Sequence, residues 1–319
     1  MNYQRSQKMI RLEHVTRQYA DFKAVDDVSI SIGSGEIVGL LGHNGAGKTT
    51  IMKMITGFLE PTEGSITING KEIGADRRAV QKEIGYLPEN CPVYPEMTVV
   101  EYLDYMACLH GLSEEKRGQL ITAALDRTDL KEKAFQSIST LSRGYRQRTG
   151  VAQAILHEPD ILILDEPTNG LDPTQIQHMR TLITELAQSS TVIVSTHVLQ
   201  EVQAICDRVI ILKNGKKALD VRLDELQGGG RLLVQVGGKD ADPRPLIESC
   251  PGVASTLLIG NSPSFRSGIN CAVTVAAGED REEAAAHISH TLHENGYRLY
   301  GMQFESRNLE TVFAEISEQ

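Results

Sequence analysis

Ile37-Val38-Gly39-Leu40-Leu41-Gly42-His43-Asn44-Gly45-Ala46-Gly47-Lys48-Thr49-Thr50 reads as an apolar strand, a glycine-rich turn and the opening of a helix. Gly42 to Thr49 fits the G-x-x-x-x-G-K-[ST] spacing of a phosphate-binding loop. Glycines let the backbone curl so that successive N–H groups point inward at a polyphosphate. The helix opening at Lys48 adds unpaired N–H groups and the positive end of its dipole. Gly42, Asn44, Gly45, Ala46, Gly47, Lys48, Thr49 and Thr50 therefore form the expected nucleotide cradle. Lys48 is expected to reach the β- and γ-phosphates, and the Thr49 hydroxyl to ligate Mg²⁺.

A second apolar run, Ile161-Leu162-Ile163-Leu164, leads into Asp165-Glu166. Four such residues read as a buried parallel strand, and the carboxyl end of such strands is where open α/β sheets bind ligands. Two adjacent acids buried there require a metal, a water or a cation. Asp165 is expected to hold Mg²⁺, and Glu166 to orient or deprotonate an attacking water. Thr191 to Thr196 reads as another buried strand, with His197 at its carboxyl end. A lone histidine is commonly structural, but a place at the same sheet edge as Lys48 and Asp165 favours a catalytic role. Ser142 and Gly144 precede a helix running to about His157, where they either cap it or bind an anion. Tyr19 lies between the strands expected at Met9–Val15 and Ala24–Ile32, and by position alone reads as a half-buried loop residue.

The 319 residues suggest two domains. A net charge of −10 argues against a broad nucleic-acid-binding surface. The five cysteines are scattered without a C-x-x-C pair, so they read as thiols in a reducing compartment. The N-terminus lacks a signal-peptide core and no run of about 18 apolar residues appears, so a cytoplasmic protein is expected.

Asn69-Gly70 and Asn214-Gly215 each signal a hairpin. Helical spacing from Thr98 to about residue 140 interrupts the strand–helix alternation and reads as an insertion. Gln227-Gly228-Gly229-Gly230-Arg231 reads as a glycine hinge, dividing a first domain (1–227) from a second (231–319). The second shows a β-α-β-β-α-β order, the ferredoxin-like unit, and then a helix over Leu309–Ile316. It carries no convergent acids or nucleophiles. His287, His290 and His293 lack an acidic or cysteine partner in ligand register and read as solvated.

Taken together, residues 9 to 220 resemble the ATP-binding subunit of an ABC transporter. Gly42–Thr50 matches that family's phosphate loop, Leu141–Tyr145 its signature and Leu164–Glu166 its acidic motif. Gly170-Leu171-Asp172 resembles its D-loop and His197 its switch histidine. The resemblance implies a P-loop NTPase fold with a RecA-like core, an antiparallel β subdomain and a helical subdomain. It makes Tyr19 an adenine-stacking aromatic and implies ATP and Mg²⁺ as ligands. It also implies a head-to-tail homodimer in which Ser142 and Gly144 contact the partner's nucleotide, and a membrane permease as second partner.

Two departures stand out. Arg143 and Tyr145 replace signature residues, and Glu89 stands in place of the family's Q-loop glutamine, where an acid can still bind Mg²⁺ or a water. With the spelling Tyr86-Leu87-Pro88-Glu89, these variants resemble the ABC-2 type export branch, such as gliding-motility and copper-site-assembly ATPases. That resemblance implies a peripheral protein on the cytoplasmic membrane face, with no nucleic-acid partner. A soluble ABC ATPase of DNA repair or translation shares the core motifs, as does a nucleotide-binding module without turnover. The acidic charge and single ATPase domain weigh against the first, and Glu166 with His197 against the second.

Overall fold

The computed structural model describes residues 8–228, 231–237, 242–259, 268–276, 278–304 and 309–318. The chain opens with strands β1 (Lys8–Tyr19), β2 (Phe22–Gly33) and β3 (Ile37–Leu41), then helix α1 (Lys48–Ile55). The short hairpin β4 (Glu63–Ile68) and β5 (Lys71–Glu72) follows, then α2 (Arg77–Gln81) and β6 (Ile84–Leu87). Helices α3 (Val99–Leu109), α4 (Glu114–Arg127) and α5 (Arg143–Ile155) precede β7 (Ile161–Asp165) and α6 (Pro173–Leu186). Next come β8 (Thr191–Thr196), α7 (Leu199–Ile205), β9 (Arg208–Lys213), β10 (Lys216–Arg222) and α8 (Leu223–Gly228).

β1, β2, β4 and β5 form an antiparallel sheet in the order β2-β1-β4-β5. Asn69 and Gly70 turn β4 into β5 with φ of +49° and +76°, the doubly positive conformation of a tight hairpin. β1 and β2 run further than the alternation predicted, because register shifts carry the pairing past His14 (φ +50°) and Asp27 (φ +52°). Such bulges break the two-residue period that marks a strand in sequence. Tyr19 is consequently the last residue of β1 and not a loop residue.

The second sheet has the order β10-β9-β3-β8-β7-β6, parallel except for β10 against β9. Every residue of β3, β7 and β8 is buried, as expected for parallel strands covered on both faces. β3 pairs with β8 and β8 with β7, bringing Leu41 opposite Thr196 and Asp165 opposite Ser195. Three neighbouring carboxyl ends are thus level. α3, α4 and two short turns fill the stretch expected as a helical insertion. α3 starts at a capping box: the Glu101 N–H donates to Thr98 Oγ1 at 3.3 Å, and the Thr98 N–H donates to Glu101 Oε2 at 2.8 Å. Tyr102, Leu103, Leu125 and Ile138 pack into one core with Val151 of α5 and Leu164 of β7.

The chain divides into two compact units. One runs to Leu223 and takes in the C-terminal residues from Phe313; the other spans Asp224–Val312. The division differs from the expected domains in where the chain ends. In α11 (Leu309–Glu318) the Phe313 ring lies 5.1 Å from the His43 ring, and Lys213 Nζ donates to the Ile316 carbonyl at 2.5 Å. A lysine on the last carbonyls of a helix satisfies groups that have no partner within it. Of the expected hinge, Gly229 and Gly230 lie outside the described residues, as does Asn308.

The second unit contains β11 (Leu232–Gly237), α9 (Arg244–Glu248), β12 (Val253–Ile259), β13 (Ile269–Val275), α10 (Arg281–Glu294) and β14 (Arg298–Phe304). Its sheet has the order β12-β13-β11-β14, with every neighbouring pair antiparallel. Val234, Val236, Cys271 and Val273 meet Ile247 of α9 and Ile288 and Leu292 of α10 in its core. Among the described residues, no helix is long and apolar enough to cross a membrane.

Candidate active site

The turn after β3 is shaped by what cannot fit there. A Cβ on Gly42 would lie 2.6 Å from the Leu212 carbonyl oxygen. On Gly47, at φ +106°, it would lie 2.7 Å from that of Ala24. Only glycine admits both the close approach and the left-handed backbone. Lys48 is buried, and its Nζ donates to the Gly42 carbonyl at 2.7 Å and stands 3.6 Å from Glu166 Oε1.

Asp165 ends β7 with no exposed surface, and Ser195 Oγ of the neighbouring strand donates to its Oδ1. Its Oδ2 is buried without a hydrogen-bond partner. An orphaned carboxylate oxygen beside a phosphate loop fits a divalent cation. Among the described residues, no cluster of three or more His, Cys, Asp or Glu side chains could hold a metal by itself. The remaining ligands would therefore be the Thr49 hydroxyl, phosphate oxygens and water, as Mg²⁺ prefers.

Glu166 follows at φ +50°, a strained conformation for a side chain of its kind. Its N–H lies 3.2 Å from both the Ser195 carbonyl and Ser195 Oγ, which holds that turn against β8. His197 Nδ1 donates to Glu166 Oε2 at 2.9 Å. The sequence-predicted catalytic trio of Lys48, Glu166 and His197 is therefore brought together. With Asn44, Gly45, Gly47, Thr49 and Thr50 they line a cavity of about 400 Å³. Exposed Glu89 lines it too.

Six predicted residues are not among those lining this cavity: Gly42, Ala46 and Asp165, which lie in or next to the elements that frame it, and Tyr19, Ser142 and Gly144. Tyr19 is not among the cavity's lining residues, and the Arg17 guanidinium lies 4.7 Å from its ring centre. Its cross-strand partner Phe22 does line the cavity and is 64% exposed. Ser142 caps α5 by accepting from the Tyr145 N–H at 3.4 Å, and buried Gly144 is covered by the Gln175 side chain. Neither lines this cavity. Sequence reading passed over Phe22 and Ser195. Ser195 left one signal, a hydroxyl inside an apolar parallel strand. Phe22 left none beyond being aromatic.

The family model for ABC transporters matches residues 25–169, from β2 to the turn after Glu166. The uncharacterized ABC transporter ATP-binding protein YxlF of Bacillus subtilis is 41% identical over 219 residues, covering 69% of this chain and 72% of its own length. This chain belongs to the ABC transporter ATP-binding family. The Nod factor export ATP-binding protein I of a Rhizobium species is 38% identical, covering 66% of this chain and 70% of that protein. Among solved structures, the dimeric post-hydrolysis state of the ATP-binding cassette MJ0796 bound to ADP and Pi aligns with a TM-score of 0.61. It is 26% identical and covers 67% of this chain and 99% of the other. The P-loop ABC ATPase fold is thereby shown, and the protein is an ATPase coupled to transport. In this ABC ATPase the β7 acids, the β8 histidine and the β3 loop meet because three parallel strands end level.

Proposed function

We propose that this protein drives an ABC-2 type exporter, hydrolysing ATP with Mg²⁺ at two sites shared head-to-tail by two copies. One observation carries the shared site. Lys48, Glu166 and His197 converge on one cavity, while Ser142 and Gly144 lie outside it in the same chain. A second copy supplies the missing serine and glycine, a reading supported by the dimeric cassette. Lys48 leaves its own loop carbonyls for the β- and γ-phosphates, and Asp165 with Thr49 holds Mg²⁺. When bound, Mg²⁺ neutralises charge on the phosphates. Glu166 orients or deprotonates the attacking water, and His197 fixes Glu166 and senses the γ-phosphate. Adenine stacks at the aromatic end of the first hairpin, where Tyr19 and Phe22 face each other across β1 and β2.

Coupling to a permease is supported by a groove of about 860 Å³ beside the cassette's helical region. Phe58, Tyr86, Pro88, Tyr94 and Leu109 line it. The loop after β6 reaches both places: Pro88 lines the groove and Glu89 the nucleotide cavity. A permease segment seated there holds the protein at the cytoplasmic membrane face, and Glu89 carries the nucleotide state to it. Export is supported by the Nod factor relative and by the Tyr86–Glu89 spelling. The second unit is a ferredoxin-like accessory domain, supported by its strand order and two crossing helices.

Glu166→Gln tests this reading. The amide keeps the shape but removes the charge, and loss of a general base costs about 10²–10⁴-fold in rate. ATP affinity is expected to persist, and a closed dimer to accumulate with ATP and Mg²⁺ in size-exclusion chromatography with light scattering. Wild-type hydrolysis by this variant would remove Glu166 from the mechanism.

A further inference from the structure

Glu201, in the first turn of α7, is 5% exposed. Its carboxylate meets two hydroxyls. Thr168 donates to Oε1, and Thr196 donates to Oε2 at 2.7 Å. Both threonines are buried as well. Each one flanks a residue of the active site. Thr168 stands two positions after Glu166, inside the turn in which the Asn169 N–H donates to the Glu166 carbonyl at 3.1 Å. Thr196 immediately precedes His197, and its Oγ1 accepts from the Val198 N–H at 3.0 Å, so it brackets the histidine from both sides. One carboxylate thus ties the loop after β7 to the last residue of β8, one oxygen to each.

A buried charge is a poor way to gain stability, since an apolar residue of similar volume commonly serves as well or better. Its geometric yield is different. Two hydroxyl donors on opposite oxygens fix the distance between Thr168, in the turn after β7, and Thr196, at the end of β8, beyond the last β7–β8 pair of Asp165 with Ser195. The positive end of α7 favours the carboxylate's charge at this place. We propose that Glu201 is a positioning residue, a clasp that holds the Glu166 and His197 loops in register for ATP hydrolysis. The clasp rests on the roles proposed above for those two residues. It touches neither nucleotide cradle nor metal, and acts through Thr168 and Thr196.

The test uses the full-length protein, comparing steady-state ATP hydrolysis with equilibrium ATP binding for Glu201→Ala, Thr168→Val, Thr196→Val and Glu201→Ala with Thr168→Val. Misplacing reacting groups by about 1 Å costs on the order of 10²-fold. Glu201→Ala is expected to lose kcat on that scale while ATP Kd stays within about twofold, a split that general loosening of the fold does not produce. Thr168→Val and Thr196→Val are each expected to lower kcat in the same direction. The double variant is expected to be no slower than Glu201→Ala alone, because both changes open one clasp. The threonine variants decide the matter should Glu201→Ala not fold. Wild-type kcat in Thr168→Val, or losses that multiply in the double variant, would overturn the clasp. Glu166→Gln separates the two ideas: slow Glu166→Gln with normal Thr168→Val removes the clasp alone, whereas normal Glu166→Gln removes the reading beneath it.

Discussion

Lys48 donates to its own loop, 2.7 Å from the Gly42 carbonyl and 3.4 Å from that of His43. Glu166 stands 3.6 Å away and balances the ammonium. An incoming triphosphate must offer more than these contacts, and it does so with charge-assisted hydrogen bonds of about 1.5–3 kcal/mol each. Lys48→Ala is therefore expected to weaken ATP binding by roughly ten- to a hundredfold and to abolish turnover. Equilibrium ATP titration and phosphate release check the two effects separately. Ser195 works at the same scale but less visibly, since its hydroxyl donates to Asp165 and faces the Glu166 N–H. It leaves Asp165 Oδ2 as the oxygen still in need of a partner.

At the scale of elements, the groove beside α3 holds two histidines that share one face. His110 and His157 stack with ring centres 4.1 Å apart, and His157 Nε2 donates to the Ile84 carbonyl at 3.2 Å. Burial, and then the neighbouring His110, push His157 down to about 4. The unfolded chain keeps the ordinary value of 6.5 and so takes up the proton first. Stability from this group is thus complete above about pH 6.5 and is lost as pH falls toward 4. Wild type is expected to lose about 1 kcal/mol from this group between pH 7.5 and 5.5. Urea melts of wild type and His157→Phe at both values check it: the gap between the two proteins is expected to shift by that amount in the variant's favour at the lower pH. A permease segment seated in this groove would meet neutral imidazoles and a single ammonium, that of Lys53.

For the whole molecule, the ATPase unit is discontinuous: the chain leaves it after Leu223 and returns from Phe313. His43 of the phosphate loop meets Phe313, and Lys213 meets the carbonyls of Ile316 and Ser317 at 2.5 and 3.2 Å. A fragment of residues 1–227 lacks these partners but keeps every residue of the nucleotide cavity. It is expected to bind ATP with near-normal affinity and to be less stable by about 1–3 kcal/mol, the worth of one partly buried aromatic and two hydrogen bonds to a charged group. Thermal melting with and without ATP measures both. Loss of ATP binding by a folded fragment would assign the C-terminal segment to the nucleotide site itself.

Local chemistry was legible in the sequence. Glycines at 42, 45 and 47 before Lys48 announce a backbone that must curl, and that requirement is met within a few residues. Apolar runs before Asp165 and His197 likewise announced buried parallel strands ending in polar groups, because burial on both faces leaves no alternation. The six elements of the second unit lie close to the stretches expected from the sequence. What the tertiary structure alone decided depends on partners far apart in the chain. Thr168 finds Glu201 across 33 residues, Ser195 finds Asp165 across 30, and His43 reaches Ser317 across 274. Strand register sets which of these side chains meet, and register is a property of pairing between segments rather than of either segment. That is why the sequence named Glu166 and His197 as catalytic, while only the folded chain places the Glu201 carboxylate between the turn after Glu166 and the strand end before His197.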